Sequence, residues 1–367
     1  MSLLFTLSFL LLPDIIIFMS KKKIVALLIT IVFLGLIFYK IDWIKLIQTF
    51  KMFDFKILWA VVPLYVLTLY LRGIRWKLLL IGDSKYSSYH LGTIFTVGSM
   101  LNIFLPARAG DVYRAYYLGV NKNEKKMKIF GNIILERTLD GICVFFILLA
   151  AILLYCHQQW ILNLAYMIGA LFIGSFITFY LIFKFNKVAF ICDKLIEFSL
   201  KLPEFISKSL VKLIESAKVH INSFIEGFKV LDSIKYSSQS FLMSAIIWLI
   251  ECYVAFLIIN SFHINLGFSA ALFVISLISF STMIPSTSVF LGPYQYAYIL
   301  ALGIYNVDKS TALAIATIHQ GILMIILSVI GGFYLLKFNL EIKDKKSGDY
   351  YCNPNKASND LDNAKID

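Results

Sequence analysis

Residues 102–114 read Asn-Ile-Phe-Leu-Pro-Ala-Arg-Ala-Gly-Asp-Val-Tyr-Arg. They close an apolar run, 89–105, that is suited to entering a membrane. Pro106 lacks an N–H and drives Leu105 out of the helical region. Gly110 permits a sharp turn, and Asp111 suits the N-cap of a new helix. Whether the chain crosses at this break or turns back on itself decides the topology of everything around it.

The surrounding chain is built for lipid. It has 367 residues, is 59% hydrophobic and only 15% charged, and has a mean hydropathy of +0.80. A soluble domain carries about a quarter charged residues, so a soluble globular protein and a disordered chain are both excluded. Apolar segments recur at about 24–39, 57–79, 89–105, 130–154, 161–183, 239–260, 268–284 and 311–336. Their lengths fit helices crossing or entering a bilayer, and no short alternating strands of a barrel are present. The expected fold is therefore an all-α polytopic membrane protein.

Charge chooses between topologies. If all eight segments cross and the N-terminus is inside, only 11 Lys and Arg face inward against 20 outward, which inverts the positive-inside rule. A second breaker set, Pro285 with Gly292 and Pro293, follows 268–284 just as Pro106 and Gly110 follow 89–105. If both segments enter the membrane and return, the count becomes 26 inside and 5 outside. The expected architecture is then six full spans and two re-entrant helical hairpins entering from opposite faces, in the cell membrane with both termini cytoplasmic. Four lysines in 40–56 are the exception. Broken backbone at membrane depth is tolerated only where protein or a watery cavity covers it, and paired broken segments point to a transporter-type site.

The remaining organisation follows from composition. Residues 1–20 contain Pro13 and Asp14 and precede Lys21–Lys23; either translation starts at Met19 or they form an extra helix. Residues 21–340 make one transmembrane domain. Within it, 188–235 places Ile206, Leu210, Leu213, Ala217, Ile221, Phe224, Phe228 and Leu231 at helical steps, which predicts an amphipathic surface helix. Residues 341–367 read as a disordered cytoplasmic tail. The net charge of +12 fits basic cytoplasmic loops against anionic lipid rather than nucleic acid. The five cysteines form neither a disulfide framework nor a metal site, and no cofactor-binding motif is present.

Charged residues inside apolar segments are the candidates for function, because such groups normally pair or line a cavity. Arg108 and Arg114, with the helix start at Asp111, offer planar cations and free N–H groups suited to a phosphate; the plainer reading is a capped turn with snorkelling arginines. Arg72 and Arg75 share a face beside Trp76, either toward a cavity, where with Arg108, Asp111 and Arg114 they are candidates to bind a lipid phosphate, or as interfacial anchors. Glu136 and Asp140 share a face, and Arg137 can reach Asp140 at i,i+3. This cluster supplies counter-ions to Arg72, Arg108 or Arg114, a proton-coupling carboxylate, or an ion pair that holds the fold. Glu251 is a lone acid, either titrating or hydrogen-bonded. His319 reads as packing rather than as a ligand. No nucleotide-binding or hydrolytic motif appears, so an enzyme is the weaker reading.

These residues resemble the flippase-like family built on the transmembrane region of lysylphosphatidylglycerol synthases, with related domains in archaeal dolichol-linked glycan proteins. The likeness rests on Arg72-Gly-Ile-Arg75-Trp76, on Asn102 through Pro106-Ala-Arg108-Ala-Gly110-Asp111 and Arg114, on Glu136-Arg137 and Asp140, and on Ile284-Pro285 before Gly292. It spans roughly 21–340. Val289 and Phe290 stand at glycine-like positions, and Gln295 stands where the family usually has Glu. The soluble aminoacyl-transferring domain has no counterpart here. The resemblance implies handling of an anionic or polyprenyl-phosphate-type lipid without lysine transfer, alone or beside a lipid-modifying or glycosyltransferase enzyme.

Overall fold

Apolar blocks in lipid must satisfy every backbone N–H and C=O internally, which favours helices. The computed structural model describes residues 32–352 apart from 33, 40, 82–84, 106–107, 123, 156–158, 186–187, 200–203 and 283–289, and these contain helices and no strand. In chain order they include α1 (Trp43–Lys51), α2 (Leu58–Leu79), α3 (Ser88–Phe104), α4 (Ala109–Lys122), α5 (Lys126–Tyr155) and α6 (Gln159–Phe185). These are followed by α7 (Val188–Ser199), α8 (Glu204–Glu226), α9 (Ile234–Asn260), α10 (Phe268–Ser281), α11 (Pro293–Gly303) and α12 (Lys309–Cys352). Five of them, α2, α5, α6, α9 and α12, are long and apolar enough to cross a bilayer. They match five of the six expected full spans; the sixth, 24–39, lies mostly outside the described residues, as do 1–20, Pro106 and Pro285.

The two broken segments fold back. α3 packs against α4, and α10 against α11. In the first pair Gly98 and Gly110 bring the backbones into contact: a Cβ on Gly110 would lie 1.8 Å from the Gly98 carbonyl oxygen. Contacts at the helix ends show where each pair begins and finishes. At one end the Tyr86 hydroxyl donates to Glu124 at 2.7 Å, Lys125 meets Glu226 at 2.8 Å, and the Asn132 amide donates to the Leu79 carbonyl at 2.9 Å. At the other, Lys45 meets Asp308 at 3.0 Å, and the Asp54 N–H donates to the Ser261 carbonyl at 3.0 Å. The α3–α4 pair thus starts and ends at the first end, and α10–α11 at the second.

A pseudo-two-fold relation follows from the packing partners. α2 pairs with α9; α3 lies on α12 as α10 lies on α5; α4 precedes and packs on α5 as α11 does on α12. Span, hairpin and span therefore occur twice in opposite senses. α1 rests on α12 with Leu46 and Thr49 buried, while Trp43, Ile44 and Ile47 face outward. Two of the four lysines in 40–56, Lys45 and Lys51, lie on this amphipathic surface helix. Asp308, partly buried there, is held below the usual carboxylate range: burial opposes ionisation, but hydrogen bonds from Thr311 and Lys45 outweigh it.

Two boundaries differ. The amphipathic helix expected within 188–235 is α8, preceded by α7 and followed by a short 3-10 turn at Lys229–Asp232, so it stops short of Phe228 and Leu231. The break falls at Gly227, where a Cβ would meet the Lys128 carbonyl oxygen on α5 at 2.4 Å. The predicted stripe divides there: Phe228 is buried while Leu213 and Ile221 are exposed. The last helix also continues to Cys352, past the boundary at 341 that composition marks. Residues 353–367 lie outside the described part.

Reporters fused near residues 120 and 230 are expected on one side of the membrane and one near 264 on the other. A glycosylation or cysteine-accessibility map placing 120 and 264 on the same side would contradict the hairpin arrangement.

Candidate functional site

The interior where the two hairpin bends meet carries most of the buried charge. Arg75 on α2 is fully enclosed. Its guanidinium pairs with Asp140 and, at 2.9 Å, with Glu136, one helical turn apart on α5; the Ser244 hydroxyl accepts from it at 3.0 Å. The Trp248 indole N–H donates to the same Asp140 at 2.9 Å. Arg114 on α4 reaches Glu136 at 2.7 Å and lies over the rings of Trp76 and Phe95, at 4.1 and 4.7 Å from their centroids. A planar guanidinium suits both the two-pronged carboxylate contact and the aromatic face.

Two further pairs flank this core. Arg137 donates to Asp111 at 2.9 Å, and Asn102 donates to the same carboxylate at 3.1 Å while accepting from the Gly110 N–H at 2.8 Å. The first bend is thereby tied to α5. Arg72 meets Glu251 at 3.2 Å across the α2–α9 contact, between Phe95 and Trp248, and Thr68 donates to Glu251 at 3.3 Å.

Arg108 differs. It sits at the first bend in the left-handed region, with φ of 53°, and its guanidinium donates to the Thr282 carbonyl of the second hairpin at 3.3 Å. Among the described residues it has no carboxylate partner. Phe290, at the second bend, also has a left-handed φ, 52°. That conformation fits the glycine-like position seen in the sequence, and such residues cost about 1–3 kcal/mol and gather at functional sites. Both line a cavity of about 300 Å³, whose wall also includes Arg72, Arg137, Asp140, Trp248, Glu251, Tyr294, His319 and Gln320.

The expected residues therefore divide. Arg72 and Arg108 face the cavity, while Arg75 and Arg114, expected to contact phosphate, stand behind it in the ion-pair core. The reason is geometric: the α5 carboxylates point at α2 and α4 and consume those guanidinium groups. Asp111 serves as counter-ion to Arg137 rather than as an open helix cap. Arg137 does not pair with Asp140 along α5, because Asp140 points to Arg75. Glu251 is paired with Arg72. Gly292, with φ of 97°, and Pro293 begin α11. Gln295 accepts from the Gly292 N–H at 2.9 Å and donates to Gln320 at 2.6 Å. An ionised Glu accepts only and could not donate to Gln320 as Gln295 does. His319 bonds Tyr298 through Nδ1, as a packing residue does, yet its ring reaches the cavity wall. Trp248, Tyr294 and Gln320 were not singled out in the sequence. The adjacent polar pair His319-Gln320 within an apolar span was the available signal.

Removing Asp140 alone leaves Arg75 and Arg114 to share the single Glu136 carboxylate, so one buried cation is uncompensated, and breaking one side of a buried pair costs about 3–5 kcal/mol. Asp140→Leu is expected to lower the thermal unfolding midpoint of the purified protein. Arg75→Met with Asp140→Leu leaves the Arg114–Glu136 pair intact and is expected to recover most of the loss. Arg137→Met with Asp140→Leu is expected to recover none. Recovery in the Arg137 double variant instead would refute the assigned pairing.

Comparison with known proteins fits this site to a family. The family described as the lysylphosphatidylglycerol synthase TM region matches residues 23–331. The UPF0104 membrane protein MJ1078 of Methanocaldococcus jannaschii is 28% identical over 265 residues, covering 68% of this chain and 99% of that one. A glycosyltransferase, AglD of Haloferax volcanii, is 32% identical over 116 residues, covering 31% of this chain and 18% of that protein. No solved structure matches. The chain is a multi-pass membrane protein that belongs to the lysylphosphatidylglycerol synthase transmembrane-region family.

Proposed function

We propose that the cavity binds the headgroup of an anionic or polyprenyl-phosphate-type lipid and that the protein moves this lipid between leaflets. The observation that carries the reading is the charge balance. Among the described residues Arg72, Arg75, Arg108, Arg114 and Arg137 face Asp111, Glu136, Asp140 and Glu251, so one cation there is left over and it lies on the cavity wall. A partly buried surplus charge at membrane depth is costly unless something neutralises it, and a guanidinium matches phosphate. In this reading the two hairpins are re-entrant from opposite faces of the cell membrane, the termini are cytoplasmic, and the bends line the lipid path. The hairpin ends described above and the distribution of Lys and Arg both support that orientation.

A second reading is an accessory role in lipid-linked glycan synthesis. It is favoured by the 116-residue similarity to a glycosyltransferase.

Exchange of labelled anionic lipid in proteoliposomes of the purified protein separates the two, since an accessory subunit moves no lipid alone. Within that assay Arg108→Lys keeps the charge but loses the planar fork. It is expected to slow exchange about tenfold, the equivalent of ~1.4 kcal/mol, with normal insertion and abundance, and Arg108→Ala is expected to be slower still. A fully active Lys variant would make Arg108 a snorkelling residue.

A further inference from the structure

The wall of the cavity contributed by the second hairpin and α12 carries polar atoms that the charge network does not use. Tyr294, on α11, is 6% exposed and His319, on α12, is 1% exposed. Both line the cavity with Arg108. The Tyr294 hydroxyl and His319 Nε2 are buried and have no hydrogen-bond partner among the described residues. Leaving such groups unsatisfied costs about 1–3 kcal/mol each, so their presence at the wall points to an occupant that bonds them.

The chemistry of the pair narrows that occupant. A tyrosine hydroxyl both donates and accepts. His319 Nδ1 is engaged by the Tyr298 hydroxyl, and Nε2 donates or accepts according to which partner holds the proton. A hydroxyl group satisfies either tautomer. A phosphate oxygen satisfies only a donor. An ammonium group satisfies only an acceptor, and it would add positive charge beside Arg72, Arg108 and Arg137, which already outnumber the Asp140 and Glu251 carboxylates on the wall. We infer that the cavity takes a phosphodiester lipid whose headgroup is neutral and hydroxylated: the phosphate lies toward Arg108, and the hydroxyls lie against Tyr294 and His319. A cationic aminoacyl headgroup does not fit this wall. The inference rests on the reading of the cavity as an anionic-lipid site.

Phosphatidylglycerol and phosphatidylmethanol carry the same phosphodiester charge and differ in headgroup hydroxyls. Binding of both to the purified full chain in nanodiscs, with a polyprenyl-phosphoryl hexose and lysyl-phosphatidylglycerol as third and fourth probes, tests the assignment. At least one of the two neutral hydroxylated lipids is expected to bind about tenfold more tightly than phosphatidylmethanol, and lysyl-phosphatidylglycerol more weakly than phosphatidylglycerol. Tyr294→Phe, which removes only the hydroxyl, is expected to reduce the preference over phosphatidylmethanol severalfold and leave phosphatidylmethanol binding unchanged. His319→Gln restores a donor and acceptor and is expected to keep more of the preference than His319→Leu. Arg108→Ala is expected to weaken all probes alike. Arg108-dependent binding without discrimination among the probes, or a preference untouched by Tyr294→Phe, overturns the inference but leaves the anionic-lipid reading standing. Preference for the lysylated lipid overturns it as well. Absence of any Arg108-dependent binding overturns both.

Discussion

Everything around the cavity depends on the enclosure of the Arg75 guanidinium. A cation wholly removed from water must be neutralised where it lies, and in this chain two carboxylates one turn apart on α5 do so. That requirement fixes the rotation of α5 about its axis and its height against α2. It also leaves the far oxygen of Glu136 for Arg114, which brings α4 and the first bend into place. Between helices in lipid there is little hydrophobic drive, so packing and polar contacts of this sort set the register. The glycine contact between α3 and α4 completes the arrangement by letting the hairpin arms touch backbone to backbone.

The same economy explains how the two bends persist. Non-helical backbone needs partners, and both bends find them in neighbouring side chains. Asn102 accepts from Gly110 in the first, Gln295 accepts from Gly292 in the second, and Arg108 spans the gap to the Thr282 carbonyl. Each bend also holds a left-handed residue that is not glycine, Arg108 in one and Phe290 in the other. Strain at equivalent points of two oppositely inserted halves is a property of the repeated architecture, and it is concentrated at the cavity.

Much of this was legible in the sequence, and the limits are physical. Hydropathy locates the long helices because twenty apolar residues have one stable form in lipid. Counting lysines and arginines distinguishes hairpins from spans because each choice moves whole loops across the membrane. The identity of the charged cluster was visible because ionisable residues in apolar runs are rare. Their pairing was not. Arg137 and Asp140 are close along one helix, but each points to a different neighbour, and a period along a single helix carries no information about which neighbour that is. The surface stretch after α6 misled for a related reason: a glycine inside a regular stripe, Gly227, reads as helix until the backbone it must approach is known. Tyr294 was passed over and His319 read as packing because aromatic residues are ordinary in apolar segments; what sets them apart is that their unused polar atoms belong to residues on the cavity wall.

The leftover charge has a consequence of an electrical kind. If the hairpins enter from opposite faces, as proposed, Arg108 stands partway along the drop in membrane potential, where moving one elementary charge through the full field is worth about 2.3 kcal/mol per 100 mV. An empty cavity carries that charge through any rearrangement of the bends, and its work varies with voltage. A cavity holding a singly charged phosphodiester carries none. In that arrangement the occupied protein and the empty one answer differently to the same membrane potential, and the asymmetry arises from one arginine without a carboxylate among the described residues.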